Sequence, residues 1–266
     1  IDIYGDSVFL NGAAGGDHIV YVDFARRYDL DRRMEIAARR GLTEVVRELA
    51  ENRNRVGILL ADVSGHSMTD ALVAAMLHQA FMTGVLYELN RSGGVTTRLF
   101  EILNTRFYAS VSVEKFITLI YGEISRSGTF RFISAGHPKP LIFSSEFNSL
   151  VSISPERMIG FYPLGMFPSA EDVDVSRNPG ALRYKERYTV NEVNLMGPGD
   201  ILLLYTDGLA EHARGDELYL PDRLVDRLRT IKSAPAAEIY RQVMDDALEW
   251  APVEDDTTLV VIKRTA

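Results

Sequence analysis

Cysteine is absent from all 266 residues of the chain. That excludes disulfides, thiolate metal sites and any cysteinyl-phosphate route in catalysis. A metal site would have to be built from carboxylates, carbonyls, water or the five histidines, a donor set suited to magnesium or manganese. Positive charge is also in short supply. Against 37 Asp and Glu stand 29 Lys and Arg, a net charge of −8, which argues against a nucleic-acid partner. No uninterrupted apolar run approaches the roughly 18 residues of a membrane span, and the start carries no signal-peptide pattern. These absences predict a cytoplasmic protein with no direct membrane contact. The chain opens at Ile1 in the middle of a strand-like stretch, so we expect a longer protein with an upstream sensor domain.

What is present is an ordinary globular composition, 46% hydrophobic and 25% charged, enough at this length to bury a core without staples. Ile3–Gly12 and His18–Phe24 read as strands around the turn "NGAAGGD". Residues 29–55 form a charged helical stretch with Met34, Ala38, Leu42 and Val46 at i+4 steps and Val45 and Leu49 alongside. That is one apolar stripe, on a single helix or on two broken at Gly41. It reads as a solvated helix packed on a sheet edge, with a partner or homodimer surface as the other reading. Ser67 and Asp70 make a capping-box start for a long helix ending near Leu89, its stripe assigned to Ala71, Ala74, Ala75, His78, Met82 and Leu86. A second helix is predicted over Thr96–Tyr108.

The period then changes from 3.6 to 2. "KFITLIYGEIS", "TFRFISAG" and "PLIFS" read as a meander of strands. From Glu146 to Asn194 the pattern is irregular, with four prolines. A strand over Ile201–Thr206, helices over Pro221–Ile231 and Pro235–Trp250, and a last strand in "DDTTLVVIK" complete the chain. Hairpin-linked strands predict mainly antiparallel sheets, and helices grouped outside them predict an α+β layered architecture. Residues 1–266 read as one domain.

Several aspartates share one setting, a strand tip beside a glycine or small-residue turn: Asp17 in "GGD", Asp62 in "ADVSG", Asp207 in "TDG", and the pair Asp255 and Asp256 before the last strand. Each alone is more often a turn residue than a ligand. Should the tips converge, two carboxylates about 4 Å apart repel by about 4 kcal/mol at an effective dielectric of about 20. Such a group demands protons or divalent cations.

The ordered set "GGD", "ADVSGHS", "FITLIYGEI", "FRFISAGHPKPLIF", "MGPGDILLLYTDGLAE" and "EDDTTLVVIK" resembles the SpoIIE-type branch of the metal-dependent protein serine/threonine phosphatases, the protein phosphatase 2C-like (PPM) superfamily. The resemblance covers residues 3–264. It implies a four-layer αββα sandwich holding two divalent cations, Mn2+ or Mg2+. By that analogy Asp62 bridges both ions, Asp207 and Asp255 hold the first, and Asp17 and the Val63 carbonyl serve the second. Asp256, Gly208, Ser64 and Gly65 are expected to lie against the ligands without being ligands. The implied reaction is hydrolysis of phosphoserine or phosphothreonine by a water shared between the ions, with no phosphoenzyme. The implied substrate is a phosphorylated STAS-type anti-sigma-factor antagonist in bacterial partner-switching and stress response.

The sequence departs from that family in four places, one of them a Phe167–Glu186 stretch longer than expected. "GGDHIVYVDF" has its next acid only at Asp23, residues 29–55 stand where a short hairpin is usual, and Ser67 replaces a usual glycine. His66 could donate a proton to the leaving oxygen, or be structural. His137 reads as a turn residue and His78 as a core histidine. His18 and His212 show no metal-ligand spacing, and the turn at Ser64 and Gly65 could present backbone N–H groups to a phosphate. Besides an active phosphatase, the sequence leaves open a regulatory pseudophosphatase that binds without turnover and, third, a metal phosphodiesterase.

Overall fold

Two five-stranded antiparallel sheets stack face to face and carry helices on both outer sides. The computed structural model describes residues 1–12, 14–65, 68–110, 115–153, 158–169, 184–195 and 197–265. In chain order the elements are β1 (Asp2–Val8), β2 (His18–Asp23), α1 (Phe24–Arg27), α2 (Leu30–Arg39), α3 (Thr43–Glu51), β3 (Arg55–Val63), α4 (Met68–Ser92) and α5 (Thr97–Ser110). There follow β4 (Ile117–Ser125), β5 (Thr129–Ala135), β6 (Leu141–Ser144), β7 (Ser149–Leu150), β8 (Asn191–Asn194), β9 (Ile201–Tyr205) and α6 (Asp207–Ala210). The chain ends with β10 (Ala213–Arg214), β11 (Glu217–Leu218), α7 (Asp222–Ile231), α8 (Ala236–Trp250) and β12 (Thr257–Lys263). One sheet has the order β1-β12-β9-β6-β7, the other β2-β3-β4-β5-β8.

Strand periodicity explains the layers. Successive side chains point to opposite faces. On β3, Ile58 and Leu60 enter the core between the sheets, while Leu59, Ala61 and Val63 pack under α4 and α5. On β9, Leu202 and Leu204 face the other sheet, while Ile201, Leu203 and Tyr205 pack under α7 and α8. Both strands are buried on both faces, which is why each reads as an unbroken apolar run.

Three expectations need correction. "PLIFS" does not continue the meander: β4 and β5 pair in one sheet, but β6 pairs with β9 in the other. The pattern of a strand records its faces and not its partner. On α4 the buried residues are Asp70, Ala74, Leu77, Phe81, Val85, Glu88 and Leu89, and Leu86 is exposed. Apolar residues on both sides of this helix disguised its inward phase. By length and composition α4 would also be able to cross a membrane, with mean hydropathy 1.3 in its best window. Isolated polar residues hid that from a search for unbroken runs, and here its inner face is part of the core.

Residues 29–55 fold as α2 and α3, separated at Gly41, whose φ of 72° no helix interior adopts. The break shifts the phase. Leu30 and Ala37 are buried on α2 and Val45 and Leu49 on α3, whereas Ala38 and Leu42 face solvent. His66 and the capping residue Ser67 lie outside the described residues.

Candidate metal centre

Strand parity gathers the acids at one end of the inter-sheet core. Asp62 continues the inward series Ile58, Leu60 on β3, and Thr206 continues Leu202, Leu204 just past β9. Asp256 and Thr258 precede Val260 and Ile262 in the same phase around the start of β12. Asp17 stands one residue before β2, in phase with Ile19. Asp207 opens the short helix α6, and Asp255 lies in the loop leading to β12.

Asp17 is 3% exposed. Its Oδ2 accepts hydrogen bonds from Thr206 Oγ1 at 2.8 Å and Thr258 Oγ1 at 2.6 Å, while its Oδ1 is buried with no hydrogen-bond partner. Burial holds this carboxyl well above the usual carboxylate range, the threonine bonds oppose that, and the charges of Asp62 and Asp256 add to it. Burial also pushes Asp62 up to about 7, helped by the charges of Asp207, Asp255, Asp256 and Asp70. Asp207 is raised by burial first and by Asp255 next. Groups that raise one another's pKa are neighbours that cannot all ionise without a counter-charge.

Asp256 is an anchor for the loop that carries Asp17. It accepts from the Leu10 N–H at 2.9 Å through Oδ1 and from the Gly16 N–H at 2.8 Å through Oδ2. The Asp256 N–H in turn donates to Asp255 Oδ1 at 2.8 Å. Gly208 packs against the Asp256 backbone, where a Cβ would stand 2.1 Å from its carbonyl oxygen. A Cβ on Gly16 would stand 2.5 Å from the Val63 carbonyl oxygen and 2.7 Å from that of Gly65. Glycine there lets the Asp17 loop close on the tip of β3. The Val63 side chain is buried in the core, so its carbonyl is the only group it can offer a ligand. Ser64 is engaged by the approach to β4: its N–H donates to the Phe116 carbonyl at 3.1 Å, and its Oγ accepts from the Phe116 N–H at 3.2 Å.

Among the described residues no group of three or more Asp, Glu and His side chains is arranged ready to hold an ion. The donor chemistry nevertheless fits hard divalent cations. The donors are oxygens, one of them is a buried carboxylate oxygen with no partner, and the acids repel one another. Beside them lies a polar cleft of about 220 Å³ lined by Asp207, Glu211, His212, Glu254 and Asp255 among others. No lysine or arginine among the described residues forms an ion pair with Asp17, Asp62, Asp207 or Asp255.

Sequence reasoning missed Thr206, Thr258 and Lys115, and read Asp70 only as part of a helix cap. The two threonines were legible as inward-phase residues at the ends of their strands. The pairing of Asp70 with Lys115, across 45 positions, carried no local signal. The described histidines all have protein partners. His18 Nε2 and His78 Nδ1 share a hydrogen bond at 2.8 Å, so the assumed core histidine partners the residue next to Asp17. His137 is buried against Thr118 Oγ1 at 3.1 Å, and burial drives its ring down to about 3, so it is neutral. His212 Nε2 bonds the Ala247 carbonyl at 2.8 Å.

Residues 52–265 match the model of the family described as Stage II sporulation protein E (SpoIIE). The phosphoserine phosphatase RsbP of Bacillus subtilis (strain 168) is 26% identical over 197 residues, 73% of this chain and 41% of that protein. Among solved structures, the RsbU and RsbW domains of a Mycobacterium tuberculosis protein superpose with a TM-score of 0.68 at 23% identity, over 100% of this chain and 60% of that one. The phosphatase domain of Bacillus subtilis SpoIIE, with a fragment of its regulatory domain, gives 0.67 at 14% identity, over 98% and 62%. The chain thus spans less than two thirds of each of these relatives.

Proposed function

Since the chain belongs to the SpoIIE family, whose solved members share this PPM phosphatase fold, we propose that it hydrolyses phosphoserine or phosphothreonine on a protein with the help of divalent cations. The observation that carries this reading is Asp62. It stands at the inward end of β3, pushed up to about 7 by burial and by the acids around it, with no lysine or arginine among the described residues paired to it. Such an arrangement costs stability and is relieved by a cation.

In this proposal two ions, Mn2+ or Mg2+, would be held by this set: Asp62 would serve both, Asp207 and Asp255 one, and Asp17 and the Val63 carbonyl the other. Bound cations would supply a nucleophile at neutral pH and a clamp for charge growing on the phosphoryl oxygens. The chain's own residues supply placement. Thr206 and Thr258 fix one oxygen of Asp17 and leave the other free. Asp256 holds the loop of Leu10 and Gly16 against the site. The acidic cleft beside Asp207 gives the phosphorylated side chain its approach.

For the substrate we propose a phosphorylated STAS-type antagonist, on the strength of the similarity to RsbP, which is named a phosphoserine phosphatase. The test is manganese-dependent release of phosphate from a phosphoserine protein, with Asp207→Asn as control. Turnover that needs no metal, or that survives the substitution, would overturn the reading. A second reading, a regulatory binding module without turnover, is favoured by the lack, among the described residues, of a ready-made set of three ligands. Phosphoprotein binding with no metal-dependent release would select it.

A further inference from the structure

The turn after Asp62 is gripped from two sides. On one side Gly16 lies against the Val63 and Gly65 carbonyls. On the other, Lys115 Nζ donates to the Ser64 carbonyl at 3.0 Å and pairs with Asp70 Oδ1 on α4 at 2.5 Å. The Asp70 side chain is 1% exposed and that of Lys115 31%, so the acid is inside and the ammonium sits at the rim. Gly65, at φ 108°, lies so close to Asp70 that a Cβ would stand 2.7 Å from its Oδ2.

The ladder between β3 and β4 ends at Val63 and Ile117. Beyond it, Ser64 and Phe116 exchange two hydrogen bonds, and the Lys115–Asp70 pair follows. One ion pair therefore joins the tip of β3, the approach to β4 and the first turn of α4. A buried carboxylate needs a partner. A lysine ammonium has three donors and can serve the acid and the turn carbonyl together.

We infer that the Asp70–Lys115 pair is a latch that positions the cation-binding turn, holding the Val63 carbonyl and Asp62 in register with Asp17 and tying them to α4. The role in cation binding rests on the reading of the site given above. Both are positioning residues, acting through the turn and not on the substrate.

The test uses the whole chain and compares Lys115→Met and Lys115→Arg with the parent. Without metal, Lys115→Met should speed amide hydrogen exchange at Ser64 and Gly65 by about 10-fold, with β12 and α8 unchanged. Calorimetry should show Mn2+ bound about 10-fold more weakly, a loss of about 1.4 kcal/mol. The KM for a phosphoserine peptide at saturating Mn2+ should not move, and Lys115→Arg should restore most of both effects. Should Lys115→Met fail to fold, Asp70→Asn carries the same measurements. Unchanged exchange at the turn overturns the latch. So does a raised KM with unaltered Mn2+ affinity, which would put the ammonium on the substrate's phosphate. A parent protein that binds no Mn2+ and releases no phosphate defeats the metal-centre reading alone, and the exchange result still decides the latch.

Discussion

At the start of β3, Arg55 stands among Glu48, Glu51 and Glu123 at 3.4, 3.6 and 3.9 Å. At its end, Asp62 stands among Asp207, Asp255 and Asp256 with no cationic partner among the described residues. The first end settles its charges internally. Burial raises Glu123, but the Tyr121 hydroxyl at 2.9 Å and the charges of Arg55 and Arg131 pull it back. A cavity of about 340 Å³ beside it is lined by acids and arginines together. At the second end the nearby Lys115 pairs with Asp70, and among the described residues no cation pairs with Asp62 itself. Two solutions on one strand show that the fold can compensate buried carboxylates and does not do so at Asp62. On the proposed reading, bound cations would make up that deficit.

The sharpest way to break this comparison is to remove an acid from the uncompensated end. Asp207→Asn should lower metal-dependent phosphate release on the order of 10³-fold, the loss expected when a cation clamp fails. Equal release by the two proteins would erase the functional difference between the ends.

Next in size is a stability effect with a definite sign. Asp62 keeps its proton in the metal-free fold up to about pH 7, whereas the unfolded chain loses it near 3.8. Between those values the native state binds more protons than the unfolded one, so its stability falls as pH rises. Metal-free Asp62→Asn should therefore outlast the parent in urea at pH 8 by about 2–4 kcal/mol. The gap should close as pH drops from 7 towards 4. Saturating the parent with Mn2+ at 100 times its Kd should restore about 2.7 kcal/mol, measured as a rise in Tm, and Asp62→Asn should lose that rise.

At the compensated end the order of effects reverses. Arg55→Met should cost about 2 kcal/mol of stability, because it removes the cation that three carboxylates share, yet leave phosphate release per folded molecule unchanged. Glu123→Gln should be the mildest, within about 1 kcal/mol, since the amide oxygen can still accept from Tyr121. Urea titrations of both proteins check this. A large loss of activity in either would mean that the two ends are coupled along β3.

Much of the layered architecture was legible because burial on both faces writes itself into β3 and β9 as apolar runs. The phase of α4 was not, because Ala71, Ala75 and Leu86 offer a rival stripe to Leu77, Phe81 and Val85. The departure of β6 to the other sheet left no trace in "PLIFS", since pairing is a property of distant residues. For the site, the strand-tip setting of the aspartates was visible in the sequence. The threonine bonds to Asp17 and the grip of Lys115 on the Ser64 turn arise only from the fold, across separations of 51 to 241 residues.

The shared inward phase of Asp62, Thr206, Asp256 and Thr258 has a consequence for how the protein is made. A slip of one residue in β3 or β12 would turn Asp62 or Thr258 towards a helix layer and bring an apolar neighbour inward in its place. A misregistered sandwich would still be compact and apolar inside, but its strand-borne polar residues would not meet at the end of its core. Cation capture would therefore act as an inspection step, stabilising only molecules whose two sheets had aligned correctly. During refolding, uptake of Mn2+ would report strand register in a way that bulk secondary-structure signals do not.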